Sequence, residues 1–213
     1  MGRIYDATWG RAWSAVYDRA IEATEEAGLR EMRRELLSRA RGRVLEVGAG
    51  TGLNLDLFPD EGIEQLILTE PDPHMTRQLR KKLEDGPRAV ELIEAPAENL
   101  PFDDDTFDTA VVTLVLCTVP DQPAALKEIR RVLKPGGQFL FLEHVRSRNP
   151  SLAKWQDRLA GPWRFIGDGC HCNRDTVAAI SAAGFELGEV DRPDLPKAPP
   201  IVRPMVVGSA ARI

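Results

Sequence analysis

The sequence predicts an α/β protein built on a mostly parallel β-sheet with helices on both faces. Three observations carry that expectation. Between positions 43 and 145, short apolar runs alternate with helical segments of about ten residues. The runs lack polar alternation, as in Thr109-Ala110-Val111-Val112-Thr113-Leu114. One of them passes straight into the turn Gly48-Ala49-Gly50-Thr51-Gly52. Unbroken apolar strands belong to a sheet covered on both faces, and strand–helix–strand units of this length form right-handed parallel crossovers.

Along the chain, residues 1–40 read as a helical cap. Trp9, Ala12, Trp13, Val16, Tyr17 and Ala20 recur at three- and four-residue steps, and Leu29, Met32, Leu36 and Leu37 repeat the pattern after a break at Gly28. The Arg- and Glu-rich opposite face of that second stretch reads as solvated. Strands are expected at 43–47, 65–69, 90–93, 109–114 and 138–143, and helices at 75–83 and 124–133, with a further helix starting near Leu53. Beyond them, 174–183 reads as helix, and 185–190 and 205–210 as strands. The segment 193–204 holds five prolines in twelve positions, which no helical crossover tolerates. The last strand therefore returns antiparallel beside its predecessor. The chain reads as a single domain, with a cap (1–40), a ligand-binding core (41–145) and a substrate-side segment ending in the final strands (146–213).

Composition narrows the partners. Across 213 residues, 28 Lys and Arg face 33 Asp and Glu, so no broad basic face is available to a nucleic-acid backbone. The three cysteines, Cys117, Cys170 and Cys172, are too few and too unevenly spaced for a disulfide framework. They fit a reducing compartment. No second Cys or His pair completes a zinc set, so no metal is expected. The N-terminus lacks an apolar signal core, and no apolar run reaches membrane-spanning length; a cytoplasmic location without an integral membrane segment is expected.

The glycine turn is the most informative feature. Glycine lets the backbone turn sharply and lets a ligand lie close above it. A dinucleotide fingerprint would need a third glycine where Leu53 stands, and Glu46 in the strand end would repel a pyrophosphate. A cation would be welcome there. Glu70, followed by Pro71, ends the next strand and can accept both hydroxyls of a ribose. Ala97 and Glu98, after the third strand, can meet an adenine edge, with Met75 packing on its face. Two carboxylates and close glycines without a phosphate site suit S-adenosylmethionine, which carries an ammonium and a sulfonium.

The run from Glu46 to Gly52, then Glu70, then Ala97-Glu98-Asn99-Leu100-Pro101-Phe102, then Phe107-Asp108 and Leu133-Lys134-Pro135-Gly136-Gly137, resembles the class I S-adenosylmethionine-dependent methyltransferases. The resemblance implies a Rossmann-like, seven-stranded, mostly parallel sheet with the last strand antiparallel. It also implies a cofactor, spent as S-adenosylhomocysteine, lined by Glu46, Gly48, Ala49, Gly50, Gly52, Glu70, Pro71, Ala97 and Glu98. Thr113 and Leu114 lie near its methionine moiety, and Tyr17 reaches over it from the N-terminal helix.

Further on, Glu143-His144-Val145, Trp155-Gln156, Pro162-Trp163, and Gly167-Asp168-Gly169-Cys170 before Arg174-Asp175-Thr176 are similar to the methyltransferase-like seven group, whose members methylate small alkyl thiols. A small-molecule acceptor, an alkyl thiol, is thereby implied. A lipid amine or quinone-like phenol is the alternative acceptor, and cofactor binding without catalysis the alternative activity. A thiol must ionise before it attacks, so His171, Asp168 and His144 are candidate bases, with His171 and Asp168 preferred. His144 also suits a backbone-bonding role, and Trp155, Trp163 and Phe165 are expected to form an apolar wall.

Overall fold

The computed structural model describes residues 21–84 and 90–213. Seven strands form one sheet: β1 (Gly42–Val47), β2 (Ile63–Thr69), β3 (Val90–Ile93), β4 (Phe107–Thr113), β5 (Leu133–His144), β6 (Phe185–Asp191) and β7 (Met205–Arg212). Their order is β3-β2-β1-β4-β5-β7-β6. The β1–β2, β1–β4, β2–β3 and β4–β5 pairs are parallel, and β7 runs antiparallel to both β5 and β6. The antiparallel final strand expected from the proline-rich segment is therefore present. That segment spans the gap through a short 3-10 turn, Pro200–Val202, and a bridge between Asp194 and Pro204.

Among the described residues, α-helices pack around the sheet: α1 (Arg30–Leu37), α2 (Pro73–Glu84), α3 (Gln122–Val132), α4 (Pro150–Ile166) and α5 (Thr176–Ala182). A π-helical turn, Glu25–Leu29, leads into α1, and Gly28 breaks its helical geometry at φ 142°, where the sequence predicts a break. Side-chain caps fix three of the starts. Asp121 accepts from the Ala124 N–H, Asn149 from Ser151 and Leu152, and Asp175 from Ala178.

Two cores result, because neighbouring residues of a strand point to opposite faces. Leu45, Val47, Ala110, Val112, Phe139 and Phe141 pack with α3 and α5 residues such as Leu126 and Ile180. Val44, Val111, Leu140 and Leu142 pack with Leu36, Leu37 and Leu79 of α1 and α2 on the other side. Glu46 alternates with Val44, so its carboxylate points into this second face, beneath α1. No helix among the described residues is long and apolar enough to cross a membrane.

Two local expectations are corrected. Residues 50–57 form successive turns, not the helix expected from Leu53. Bonds from Gly52 N–H to the Ala49 carbonyl and from Leu57 N–H to the Asn54 carbonyl, both 2.9 Å, close three-residue steps. The reason is Asn54, whose side chain is drawn inward onto Glu46 and Thr113. The solvated face expected for α1 holds at Glu31, Arg34 and Glu35, but Arg33 is only 3% exposed.

Candidate cofactor and acceptor cleft

The glycine turn leaves β1 at the edge where β2 and β4 also end. The Gly48 and Ala49 N–H groups both donate to the Thr69 carbonyl, at 2.8 and 2.9 Å, tying the turn to the tip of β2. Gly48 has φ 70°, and a Cβ there would stand 2.6 Å from a Val115 methyl, so only glycine fits against the chain leaving β4. Gly50 donates its N–H to Glu70 Oε2 at 2.8 Å, while Glu70 Oε1 accepts the Asp72 N–H at 2.9 Å. Burial pushes the Glu70 carboxyl up, and these two donors pull it back.

Glu46 is the centre of a buried polar network. Its Oε1 accepts from Asn54 Nδ2 at 2.6 Å. Asn54 Nδ2 also reaches Thr113 Oγ1 at 2.9 Å, and Arg33 Nη1 donates to Thr113 Oγ1 at 2.7 Å and to Asn54 Oδ1 at 3.1 Å. Arg33 Nε bonds Glu25 at 3.1 Å, linking the network to the turn before α1. Glu46 Oε2 is buried with no hydrogen-bond partner. Burial raises its carboxyl to about 7, against the pull of Asn54 and the Arg33 charge. An unmet buried carboxylate oxygen costs about 1–3 kcal/mol or more, and Glu46 Oε2 has room in its bonding for a further donor.

A cavity of about 450 Å³ opens above these groups. It lies where the strand order turns back between β1 and β4, the place where open α/β sheets bind ligands. Gly48, Ala49, Gly50, Glu70, Pro71 and Met75 form one wall. Ala97 and Glu98 form the end beyond β3; Glu98 Oε1 also accepts the Asp121 N–H at 3.1 Å. Thr113 and Leu114 form the wall after β4, and Asp168 lies opposite on the turn after α4.

Three sequence-predicted residues lie outside the lining. Glu46 sits just behind the wall, joined to it through Asn54 and Thr113. Gly52 turns toward the packing of α2, where a Cβ would stand 2.6 Å from Leu79 Cδ1. His171 is outside the lining, its pKa lowered by partial burial and by Arg174 and Arg164. Tyr17 lies outside the described residues.

Two non-glycine residues of the lining hold left-handed backbone, Leu114 at φ 62° and Asp168 at φ 47°. Such geometry costs about 1–3 kcal/mol in a bulky residue and must be held by its surroundings. For Leu114 the holder is Glu143 at the end of β5. Its fully buried carboxylate accepts the N–H groups of Val115 and Leu116, both at 2.8 Å, and of Cys117 at 3.0 Å. Burial lifts this carboxyl to about 7, while the three N–H donors oppose the rise. His144, next along the strand, is driven down to about 4 by burial and bonds the Val202 backbone, and its Nδ1 has no partner.

The expected aromatic wall is corrected. Trp155 and Phe165 are 53% and 55% exposed, and of the three only Trp163 packs inward. Arg33 and Asn54 are not singled out by the sequence, and Glu143 enters there only within the Glu143-His144-Val145 run, with no role of its own. A signal for Arg33 was present, since it stands four residues from both Leu29 and Leu37 and so shares their buried stripe. For Asn54, and for the role of Glu143, the sequence shows no signal, because the partners lie on other segments.

Among the described residues that line the cavity, Arg33 is the one cation, facing the acids Glu70, Asp72, Glu98 and Asp168. A switch-point cavity so charged, with close glycines and an orphaned carboxylate oxygen, rejects phosphates and fits a cationic nucleoside. Fold and site together define an S-adenosylmethionine-dependent methyltransferase. Comparison with known proteins gives the same class. Residues 45–141 match the methyltransferase domain family. The human thiol S-methyltransferase TMT1B is 34% identical over 192 residues, covering 84% of this chain and 78% of that protein. A phosphatidylethanolamine N-methyltransferase of Cereibacter sphaeroides is 33% identical, covering 68% and 71%. An S-adenosylmethionine-dependent methyltransferase structure from Thermotoga maritima superposes with a TM-score of 0.71 at 24% identity, covering all of both chains. The chain belongs to the class I S-adenosylmethionine-dependent methyltransferase family that includes TMT1B.

Proposed function

We propose that the chain methylates a small alkyl thiol. The observation that carries the choice of acceptor is the reach of the TMT1B match. At 84% of the chain it extends beyond the shared domain at 45–141 into the segments that flank the cleft, where the acceptor is chosen. TMT1B acts on thiols by its name, and the same acceptor is assigned here.

The donor brings an activated sulfonium methyl; the chain's task is to bind it, orient the acceptor and exclude water. Glu70 takes the ribose hydroxyls, because each carboxylate oxygen that already accepts one N–H keeps a second lone pair. Ala97, Glu98 and Met75 hold the adenine, and Pro71 closes that wall. Gly48, Ala49 and Gly50 let the donor lie close over the backbone, with Gly52 setting the turn against α2 and Tyr17 covering it from the N-terminal segment. Thr113 and Leu114 flank the methionine portion. Its ammonium faces the side of the cleft where Glu46 keeps an unmet oxygen, and Arg33 is the partner for its carboxylate. A free thiol ionises near about 8.5, so the acceptor must lose a proton at neutral pH. Asp168, on the lining, takes that proton, and His171 tunes the turn that carries it. A net charge of −5 and an acid-lined cleft support a small molecule over a nucleic acid as acceptor, and the three reduced cysteines support the cytoplasm as location.

The test is a panel assay in which purified protein and S-adenosylmethionine meet alkyl thiols, amines and phenols, with S-adenosylhomocysteine as readout. Turnover on thiols is expected. Turnover on amines or phenols but never on thiols overturns the acceptor class.

A further inference from the structure

The run Arg174-Asp175-Thr176, part of the resemblance to the alkyl thiol group, lies outside the cavity lining, yet each residue has a task in the structure. Asp175 accepts the Ala178 N–H at 3.2 Å and caps α5. Thr176 Oγ1 accepts from Gln122 Nε2 at 3.2 Å, joining α5 to α3. Arg174 reaches furthest: its Nη1 donates to the Leu116 carbonyl, just past β4, at 2.6 Å. Its backbone is held elsewhere. The Arg174 N–H donates to the His171 carbonyl at 3.3 Å, and the Arg174 carbonyl accepts the Arg146 N–H, just past β5, at 2.9 Å. Arg174 therefore spans from the end of β5 to the end of β4.

The carbonyl it meets belongs to a buried residue whose backbone groups are all taken. The Leu116 N–H goes to Glu143 at 2.8 Å, and the Leu116 oxygen accepts from Gln122 Nε2 at 3.1 Å as well as from Arg174. A carbonyl oxygen offers two lone pairs, so both are filled, one of them by a charged donor. The two carbonyls that follow face the same turn. That of Cys117 accepts the His171 N–H at 2.6 Å, and that of Thr118 lies 3.3 Å from the position of a Cβ on Gly169. The turn after α4 thus lies along three consecutive carbonyls of the chain leaving β4.

We propose that Arg174 is a positioning residue for methyl transfer, setting the distance across the cleft between the wall after β4 and the turn that carries Asp168. This role rests on the reading in which Asp168 takes the proton of the acceptor and Leu114 flanks the methionine portion of the donor. Leu114 stands shortly before Leu116 in the chain, and Asp168 shortly before Arg174. Both line the cavity, and both hold left-handed backbone that their surroundings must keep in place. The Arg174 side chain is the strut between those surroundings.

In-line displacement is sensitive to that distance, since a misplacement of about 1 Å costs about 100-fold in rate. Donor affinity has a different basis: Glu70, Ala97 and the glycine turn hold the nucleoside at the other end of the cleft. Loss of Arg174 is therefore felt in turnover and not in donor binding. The fold survives the loss, because Gln122 stays on the Leu116 carbonyl and leaves no buried oxygen orphaned. Arg174 is half-buried, so its removal leaves a space that opens to solvent and that free guanidinium can fill.

The experiment compares the full-length wild type with Arg174→Met, Arg174→Lys, Asp168→Asn and the double variant of Arg174→Met with Asp168→Asn. Turnover is measured on the acceptor that the panel assay identifies, and S-adenosylhomocysteine binding by calorimetry. Arg174→Met should lower kcat about 10- to 100-fold and leave S-adenosylhomocysteine affinity unchanged. Arg174→Lys keeps a charged donor on a different arm, and its kcat should fall between the two. Millimolar guanidinium chloride should restore part of the turnover of Arg174→Met while leaving the wild type as it was. Because Arg174 acts through the turn of Asp168, the double variant should be little slower than Asp168→Asn alone. A loss in kcat below about threefold overturns the proposal, as do additive losses in the double variant. So does a joint fall of turnover, donor affinity and melting temperature that guanidinium does not relieve, which is the mark of a merely structural residue. If only amines or phenols are methylated, the thiol reading fails and Arg174 is judged on that acceptor. If Asp168→Asn keeps full turnover, Asp168 is not the base and guanidinium rescue decides for Arg174. Hydrogen exchange needs no acceptor at all: the His171 N–H should exchange faster in Arg174→Met, and a wild-type rate there also overturns the proposal.

Discussion

Arg33 is a buried guanidinium set beside a carboxylate that keeps its proton to about 7, and the two divide the charge recognition of the cleft. If Arg33 binds the carboxylate of the cofactor, its removal is felt only by ligands that carry one. For Arg33→Met, calorimetry should show affinity for S-adenosylhomocysteine falling about 10- to 100-fold, the worth of one or two charge-assisted hydrogen bonds. Affinity for the decarboxylated analogue should hardly change. Equal losses for both ligands would reduce Arg33 to a packing residue. Glu46 gives a pH test. Its ionised form favours the ammonium of the donor, so affinity should rise as pH increases through about 7 and level off above it. Glu46→Gln has no proton to lose, and its affinity should be lower and flat across the same range.

At the scale of elements, the strands were legible because burial on both faces writes uninterrupted apolar runs, and all seven runs read from the sequence are strands. Leu114 alone falls beyond its strand, where its left-handed backbone starts the cleft wall. The glycine turn and Glu70 were legible for the same local reason, being contiguous in sequence. What stayed hidden depends on partners from distant segments: Asn54 pulled inward by Glu46, and Glu143 gathering three N–H groups after β4. Helix α4 was hidden by Gly161-Pro162 in its interior, and Trp155 and Trp163, eight residues apart, stand about 80° apart around its axis, so one faces out and one in. The helix is held by Gln156, which is fully buried. Its Nε2 donates to the carbonyls of Val145, Cys172 and Ile201 at 3.0, 2.8 and 2.9 Å, and its Oε1 accepts the Ser147 N–H at 2.8 Å. Gln156→Leu leaves four backbone groups, two of them in buried hydrogen bonds, without that partner. Denaturant unfolding should register a loss of about 2–4 kcal/mol, and turnover should fall because the turn bearing Asp168 follows α4. A loss below about 0.5 kcal/mol would show that water or neighbours replace the amide.

For the whole molecule, the buried acids set the dependence of stability on pH. Glu46 and Glu143 are both lifted by burial from an ordinary 4.5 to about 7. A raised carboxyl binds its proton more tightly in the folded than in the unfolded chain between those values. Its stabilising effect is complete below 4.5 and is lost as pH rises through about 7. His144 acts in the opposite sense. Burial lowers it from 6.5 to about 4, so the unfolded chain takes up the extra proton, and stability grows with pH across that interval. The two effects oppose each other below 6.5; above it the acids act without His144. The melting temperature should therefore fall between pH 6.5 and 8, by several degrees if each acid costs about 3 kcal/mol when fully ionised. Saturating S-adenosylmethionine should remove about half of that slope, because its ammonium supplies the charge that Glu46 lacks while Glu143 stays beyond its reach. A melting temperature that is level across this range without ligand would mean that Asn54 and Arg33 already hold Glu46 ionised, and that the three N–H donors do the same for Glu143.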